Sequence, residues 1–319
     1  MGLPEIKKEL AASDNFLVTC HLNPDGDALA SLLGMCSLLK AMGKRAVAIS
    51  PDPVPRRYLF IPGADEVIPF RDSDGQGPFD AVVFLDVGAQ DRITKVSEFI
   101  TDKMKIINID HHPSNDGFGD AAWVDGSYSA TAEMLHELFR SLKIVPDADT
   151  ALALYVGIIT DTGRFRFSNT SSRCLATAAA LVELGADPSL AAEKVFYTTP
   201  AIVISTLRKF LSRVEQHEEG KIVYSYLNLD ELEIDTEGFI DNISGIHDVV
   251  ISILMQQVSE DKYKFSLRSN DDEVDVSAIA SKYNGGGHHK AAGCRIKGTF
   301  DDVKAEILDI CTKALYNQE

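Results

Sequence analysis

Two groups of acidic and histidine side chains, about ninety residues apart, dominate the chain. The first is the run HLNPDGDALAS, which contains His21, Asp25 and Asp27. The second is the run DHH at 110–112. Carboxylates and imidazoles of this kind suit a pair of divalent metal ions, and two such ions beside a phosphate hydrolyse phosphoesters. The pattern therefore indicates metal-assisted phosphoester chemistry.

The first group also has a purely structural interpretation. Asp27 lies where a helix N-cap would lie, so the run would suit a strand–turn–helix joint. That interpretation leaves His21 and Asp25 unexplained, and the turn at 24–26 can direct three side chains into one volume. Asp86 after VVFL and Asp161 in IITDTGRF are weaker signals alone, being typical of a turn and a helix end.

The paired histidines are the more specific signal. The chain is acidic and has eight histidines, so an adjacent pair is rare by chance. One imidazole, in His111, would ligate metal, and the other, in His112, would contact a phosphate oxygen or move a proton. Asp110 would orient one of these imidazoles by accepting a hydrogen bond from it, without binding metal itself. A polar loop is the alternative.

A glycine-rich run, GGGHHKAAG at 285–293, marks the second half of the chain. Glycines let the backbone approach a ligand and offer N–H groups to an anion, and the HHK residues add hydrogen-bonding or positive groups. Arg268, at the end of KFSLRS, would be a forked phosphate partner. The alternatives are a flexible turn and an ordinary surface arginine. We expect a phosphate-binding loop.

The elements that must position these side chains alternate in the first half. Apolar runs typical of buried parallel strands occupy 15–21, 45–50, 81–86 and 105–110. Segments with helical spacing occupy 27–43, 129–142 and 150–160. This alternation predicts an α/β fold with a mostly parallel sheet flanked by helices. Ligands in such folds bind at the carboxyl ends of strands, where most of the candidate residues lie.

The remainder predicts a second, smaller α/β domain. A helical pattern broken at Gly185, Pro188 and Pro200 covers 171–213, and strand-like runs follow from 221 onward. We expect a catalytic domain at 1–190, a helical linker at 191–215 and a substrate-binding domain at 216–319. The active site would lie in the cleft.

The composition of the chain limits the kinds of ligand and partner that it can bind. The net charge is −17 over 319 residues, which argues against binding of long duplex nucleic acid but permits a short phosphorylated ligand. We find no bilayer-spanning apolar run and no signal-like segment, and five scattered cysteines lack a CxxC pair. We expect a cytoplasmic protein that does not bind membranes. Its oligomeric state stays open, and exposed helices of the first domain would permit a homodimer.

Together the motifs resemble those of the DHH/DHHA1 phosphoesterase superfamily. HLNPDGD, FLD at 84–86, DHH at 110–112 and TD at 160–161 occur in the order of that family. GGGHHKAAG resembles the glycine-rich signature of the DHHA1 domain. The resemblance covers nearly the whole chain, and the layout is similar to the bifunctional oligoribonuclease and 3′-phosphoadenosine-5′-phosphate phosphatase group.

The resemblance implies a site with two Mn²⁺ ions, which would also accept Mg²⁺ or Co²⁺. It implies six ligands, with one ion held by His21 and Asp25, the other by Asp27, His111 and Asp161, and both by Asp86. His112 would face the substrate, and Asp110 would orient an imidazole without binding metal. Substrate contacts would come from Arg268, Gly286, Gly287, His288 and His289.

The implied activity is hydrolysis of short single-stranded oligonucleotides (nanoRNA, exonucleolytic) or of the mononucleotide bisphosphate 3′-phosphoadenosine-5′-phosphate. The main alternative is a phosphodiesterase of cyclic or linear dinucleotides such as c-di-AMP and pApA. A pyrophosphatase or polyphosphatase and a non-hydrolysing nucleotide-binding module are further alternatives. The glycine-rich domain favours nucleotides over pyrophosphate, and the full ligand set argues against a module without turnover.

Overall fold

The chain divides into two compact units, residues 1–198 and residues 199–319. The structure is a computed structural model that describes residues 2–88, 96–197, 200–232, 234, 236 and 238–316. Each unit contains its own six-stranded sheet and its own hydrophobic cores. The division lies inside the segment expected to be a linker.

The first unit is an α/β layer structure. Its strands are β1 (Asn15–Thr19), β2 (Arg45–Ser50), β3 (Ile68–Pro69), β4 (Ala81–Leu85), β5 (Lys105–Asp110) and β6 (Ala121–Val124). Its described α-helices are α1 (Leu3–Ala12), α2 (Gly26–Ala41), α3 (Thr131–Leu142), α4 (Ala148–Asp161), α5 (Ser172–Glu183) and α6 (Pro188–Phe196).

All strands of this sheet are parallel, in the order β3-β2-β1-β4-β5-β6. Every side chain of β4 is buried, and alternate residues enter two different cores: Val83 lies in one and Phe84 in the other. The strand order reverses between β1 and β4. Such a switch point opens a crevice at the carboxyl ends of the two strands, which is where open α/β sheets bind ligands.

Helices α2 and α4 pack closely beside this crevice because Gly157 of α4 has no side chain. A Cβ atom there would lie 2.8 Å from Asp27 Oδ1 and 2.9 Å from the Cβ of Ala30. Such contacts are too short to be tolerated without movement of α2. The glycine thus lets α4 approach the carboxylate of Asp27.

The second unit has a mixed sheet. Its strands are β7 (Glu215–His217), β8 (Ile222–Leu227), β9 (Ile251–Ser259), β10 (Lys262–Ser269), β11 (Gly286–His288) and β12 (Ala291–Lys297). Its described α-helices are α7 (Ala201–Ser212), α8 (Phe239–Ser244), α9 (Val276–Ser281) and α10 (Phe300–Leu315). The order is β11-β12-β10-β9-β8-β7, with β8 and β9 parallel and the other pairs antiparallel.

The predicted fold class, a mostly parallel α/β unit followed by a smaller α/β unit, is confirmed. Two features differ from the sequence patterns. The strands that are short or rich in small residues were not expected, namely β3, β6, β7, β11 and β12, and β1 ends at Thr19, two residues before His21. Among the described helices, none is alone long and apolar enough to cross a membrane, and α5 with α6, bent by 109°, passes that test only as a pair.

Candidate metal centre

Asp86 lies at the middle of the site. It follows β4 directly, and its φ of +59° is a left-handed conformation that aspartate tolerates better than most residues. Its Oδ2 atom lies 3.6 Å from Nε2 of His21, and its Oδ1 atom lies 3.5 Å from Nε2 of His111. The two histidine groups of the sequence therefore meet at one buried carboxylate, with one oxygen directed to each.

The first half of the site is formed by His21 and Asp25. His21 Nε2 lies 3.8 Å from Asp25 Oδ1, and potential ligand atoms of these two residues and Asp86 lie within 4.8 Å of one another. Nδ1 of His21 donates to the carbonyl oxygen of Leu22 at 2.8 Å. In the neutral form of His21, which is the form that binds a metal ion, Nε2 would then present a lone pair to the site.

The second half is formed by Asp27, His111 and Asp161. Potential ligand atoms of Asp27, Asp86 and His111 again lie within 4.8 Å of one another. Asp161 Oδ2, at the end of α4, lies 3.3 Å from Nε2 of His111. His111 and Asp161, which lie 50 positions apart in the chain, are thus in contact.

The helix cap at the start of α2 is Asp25 and not Asp27. Asp25 accepts hydrogen bonds from the backbone N–H groups of Asp27 (3.1 Å) and Ala28 (3.0 Å). Asp27 accepts instead from the N–H groups of Thr131 (2.7 Å) and Ala132 (2.9 Å), at the start of α3. The structural interpretation of Asp27 as a cap is therefore wrong.

Electrostatics at the site favour a cation. Burial, together with the negative charge of Asp86, raises the pKa values of Asp27 and Asp161 well above the usual range of an aspartate. Burial also acts to raise the pKa of Asp86, but hydrogen bonding to His21 and the charges of His112 and His111 outweigh it and hold that pKa low. Buried carboxylates that repel one another gain from a divalent ion. Oxygen and imidazole donors fit Mn²⁺, Mg²⁺ or Co²⁺.

The His112 ring is oriented by a hydrogen bond to a buried carboxylate. Its Nδ1 donates to Asp110 Oδ1 at 2.8 Å, and Asp110 is fully buried. The other Asp110 oxygen accepts from Nδ2 of Asn115 at 2.7 Å, which also donates to the carbonyl of Val87 at 3.0 Å. The pKa of His112 is raised above its usual value. Burial acts to lower it, but the hydrogen bond to Asp110 and the charges of Asp86 and Asp110 outweigh burial.

Sequence reasoning missed three residues that support this site. Asn115 orients Asp110, and Thr131 donates from its hydroxyl to Asp86 Oδ1 at 3.1 Å. The carbonyl oxygen of Tyr128 accepts a hydrogen bond from Nδ1 of His111 at 3.3 Å. The polar run SYSAT at 127–131 could have indicated Tyr128 and Thr131, because polar groups that become buried beside the start of a helix usually form hydrogen bonds.

The predicted substrate residues lie in the second unit. Arg268 in β10 and His288 in β11 both pair with Ala291 of β12, so they stand in one row across three strands, on one face of the sheet. His289 follows β11, and its carbonyl accepts from Val276 at the start of α9.

The glycines of the loop have a packing role as well. Gly287 has a φ of +146°, and an added Cβ would meet Cα of Ala292 at 2.6 Å, so close pairing of β11 with β12 requires glycine. Gly286 has open space around its Cβ position. The run therefore forms two paired strands joined by a turn at 289–290, and both Gly286 and Gly287 are exposed.

The geometry agrees with comparisons to known proteins. Residues 15–158 match the family model for the DHH family, N-terminal domain, and residues 219–317 match that for the DHHA1 domain. A Thermus thermophilus protein named bifunctional oligoribonuclease and PAP phosphatase NrnA is 35% identical over 93% of this chain and 89% of its own length. This chain belongs to the DHH phosphoesterase family.

Other relatives of this DHH phosphoesterase are consistent with that assignment. A Bacillus subtilis protein of the same name is 28% identical, covering 96% of this chain and 98% of its own. The crystal structure of an exopolyphosphatase-related protein from Bacteroides fragilis has a TM-score of 0.87 at 24% identity, over 97% of this chain and 94% of that one, and shows the same fold. As a family member, the chain is a metal-dependent hydrolase of phosphoesters.

Proposed function

We propose that this DHH phosphoesterase hydrolyses short single-stranded oligonucleotides from one end, and 3′-phosphoadenosine-5′-phosphate, at a centre of two Mn²⁺ ions. The observation that carries the proposal is the position of Asp86, with one carboxylate oxygen 3.6 Å from His21 Nε2 and the other 3.5 Å from His111 Nε2. A carboxylate placed in this way suits a ligand shared by two metal ions.

The residues divide into two sets around that shared carboxylate. His21 and Asp25 would hold one ion, while Asp27, His111 and Asp161 would hold the other. Bound divalent ions would supply Lewis acidity toward the phosphate and a water of lowered pKa. The backbone N–H groups of Thr131 and Ala132 fix the Asp27 carboxylate in place.

His112 is the proposed catalytic side chain. Because Nδ1 donates to Asp110, Nε2 is the ring nitrogen that we propose faces the substrate. Its raised pKa favours the protonated form, so it would donate to a phosphate oxygen or to the leaving group.

The substrate class is supported by the relatives and by charge. The names of the Thermus thermophilus and Bacillus subtilis relatives specify oligoribonuclease and PAP phosphatase activities. A net charge of −17 disfavours a long polyanion, whereas a local phosphate contact needs few cations. Arg268, His288, His289 and the backbone of Gly286 and Gly287 are the proposed phosphate and nucleotide contacts. Five free cysteines agree with action in the reducing cytoplasm.

A comparison of substrates tests the proposal. Purified protein would be assayed with Mn²⁺, and in parallel with Mg²⁺ or Co²⁺, on RNA of two to ten nucleotides, pApA, c-di-AMP, 3′-phosphoadenosine-5′-phosphate and pyrophosphate. We expect kcat/KM to be greatest for the shortest RNAs and the bisphosphate, falling by about 10-fold or more toward ten nucleotides. Faster cleavage of c-di-AMP or of pyrophosphate would replace the proposal with one of the alternative activities.

A further inference from the structure

We propose that Glu133 and Arg173 form a clamp that positions the metal centre without touching it. The inference rests on the proposed function, since it concerns residues proposed to hold metal. Both side chains act on one segment, residues 127–132, which joins β6 to the start of α3 and is here called the support segment.

The support segment contacts three of the six proposed ligands. The Tyr128 carbonyl accepts from Nδ1 of His111 at 3.3 Å, and the Thr131 hydroxyl donates to Asp86 at 3.1 Å. The N–H groups of Thr131 and Ala132 bind both oxygens of Asp27. A small displacement of this segment would therefore move Asp27, Asp86 and His111 together.

Glu133 fixes the segment from the α3 side. Its side chain is 1% exposed, and its Oε2 atom accepts from the N–H group of Ser129 at 2.7 Å. Its Oε1 atom accepts from Nε of Arg173 at 2.9 Å. A buried carboxylate needs an opposite charge and hydrogen bonds to be tolerated, and here both of its oxygens have partners.

Arg173, from α5, holds the other end of the segment. One guanidinium nitrogen, Nη2, donates to the Ser127 carbonyl at 2.6 Å while Nε binds Glu133. Its guanidinium carbon lies 3.6 Å from the centroid of the Tyr128 ring, a cation–π contact. These contacts fix the backbone on both sides of Tyr128. They therefore hold its carbonyl oxygen within hydrogen-bonding distance of His111.

Asn169 connects the same segment to a fourth proposed ligand. Its Nδ2 atom donates to the carbonyl of Ser129 at 3.0 Å and to the carbonyl of Asp161 at 3.1 Å. The Ser129 hydroxyl donates in return to the Asn169 carbonyl at 2.5 Å. These bonds fix the end of α4 relative to the support segment.

Glu133 and Arg173 are thus positioning residues, and their loss should act through geometry. Outer partners of metal ligands typically change metal affinity by about 10- to 100-fold when removed. The tests are Arg173→Ala, Arg173→Lys and Glu133→Gln. Arg140→Ala is the matched control, because it removes an exposed ion pair with Glu137 on the same helix, α3.

The measurements separate positioning from chemistry. Calorimetry would follow Mn²⁺ binding to metal-free protein, hydrogen exchange would follow the amides of 127–132 without metal, and kinetics would give kcat and KM on pApA. For Arg173→Ala we expect about 10-fold or greater loss of Mn²⁺ affinity and of kcat, faster exchange at 127–132 and little change in KM. Arg173→Lys should be intermediate, because an ammonium lacks the fork that binds Glu133 and Ser127 together.

Wild-type Mn²⁺ affinity and exchange in a folded Arg173→Ala protein would overturn the clamp. The same losses in Arg140→Ala would overturn it too, since they would show a general effect of removing an arginine that pairs with a glutamate of α3. If Arg173→Ala does not fold, the comparison of Arg173→Lys and Glu133→Gln with wild type decides the matter by the same criteria. Failure of wild type to cleave both short RNAs and 3′-phosphoadenosine-5′-phosphate would refute the proposed function, while the binding and exchange data would still test the clamp.

Discussion

At the scale of single residues, the site depends on a carboxylate that neighbours hold ionised. Asp86 is 2% exposed, and its charge persists because His21, His111 and His112 surround it. The same charge makes ionisation of Asp27 and Asp161 costly. A centre of this kind is arranged to receive positive charge, since no single histidine can neutralise all three carboxylates.

Replacement of Asp86 by asparagine tests this arrangement. Asp86→Asn preserves the shape and the acceptor for Thr131 but removes the charge, so we expect kcat/KM and Mn²⁺ affinity each to fall by more than about 100-fold. The protein should remain folded, as judged by circular dichroism. Asp116→Asn, on an exposed loop, is the control and should retain both properties. Full Mn²⁺-dependent activity of Asp86→Asn would remove the basis of the shared-ligand assignment.

At the scale of elements, the second unit contains an ionic junction of its own. Glu231, in the turn after β8, accepts from both terminal nitrogens of Arg213, just past α7, and lies 3.1 Å from Nζ of Lys209. It also accepts from the N–H group of Asn228 at 2.9 Å. Hydrogen bonding to Arg213 outweighs burial and lowers the pKa of Glu231 to about 2.

This junction predicts a pH dependence of stability. Because the folded pKa is depressed, the stabilisation is present above the unfolded value near 4.5 and is lost as pH falls toward about 2. Glu231→Gln should lower the free energy of unfolding by on the order of 2 kcal/mol at pH 7, and the difference from wild type should shrink as the pH falls from about 4.5 to about 2. Urea unfolding at several pH values measures it. A difference independent of pH would contradict the ionic explanation.

At the scale of the whole molecule, metal binding should stabilise one unit more than the other. All six proposed ligands belong to residues 1–198, and the second unit has separate cores. A ligand present at about 100 times its Kd stabilises the state that binds it by about 2.7 kcal/mol. The two units should therefore respond differently to a chelator.

Metal removal tests this expectation. Treatment with a chelator should increase hydrogen exchange at the ends of β1, β4 and β5 and at the start of α3, and added Mn²⁺ should restore protection there. Strands β8 to β10 should exchange at the same rate with and without metal. Equal effects on both units, or no effect on the first, would show that the proposed ligands do not bind Mn²⁺ as a set.

The sequence alone determined the strand–helix alternation and the residues proposed as ligands. Runs such as AVVFL and KIINI can be read as buried strands because hydrophobic burial is a local pattern, and polar residues after parallel strands share one edge of the sheet. His21, Asp86 and Asp110 could be assigned to that edge for this reason. The row of Arg268 and His288 was only partly predictable, since β12, which lies between them, is rich in small residues.

Only the tertiary structure decided which groups contact one another. Asp25 rather than Asp27 caps α2, Gly287 is required by close strand pairing, and Glu133 meets Arg173 from a different helix. Each of these facts depends on distances between residues far apart in the chain, which are set by packing of whole elements rather than by neighbouring residues. Local pattern can thus name the carboxylates and imidazoles, whereas side-chain geometry across elements decides how they are held.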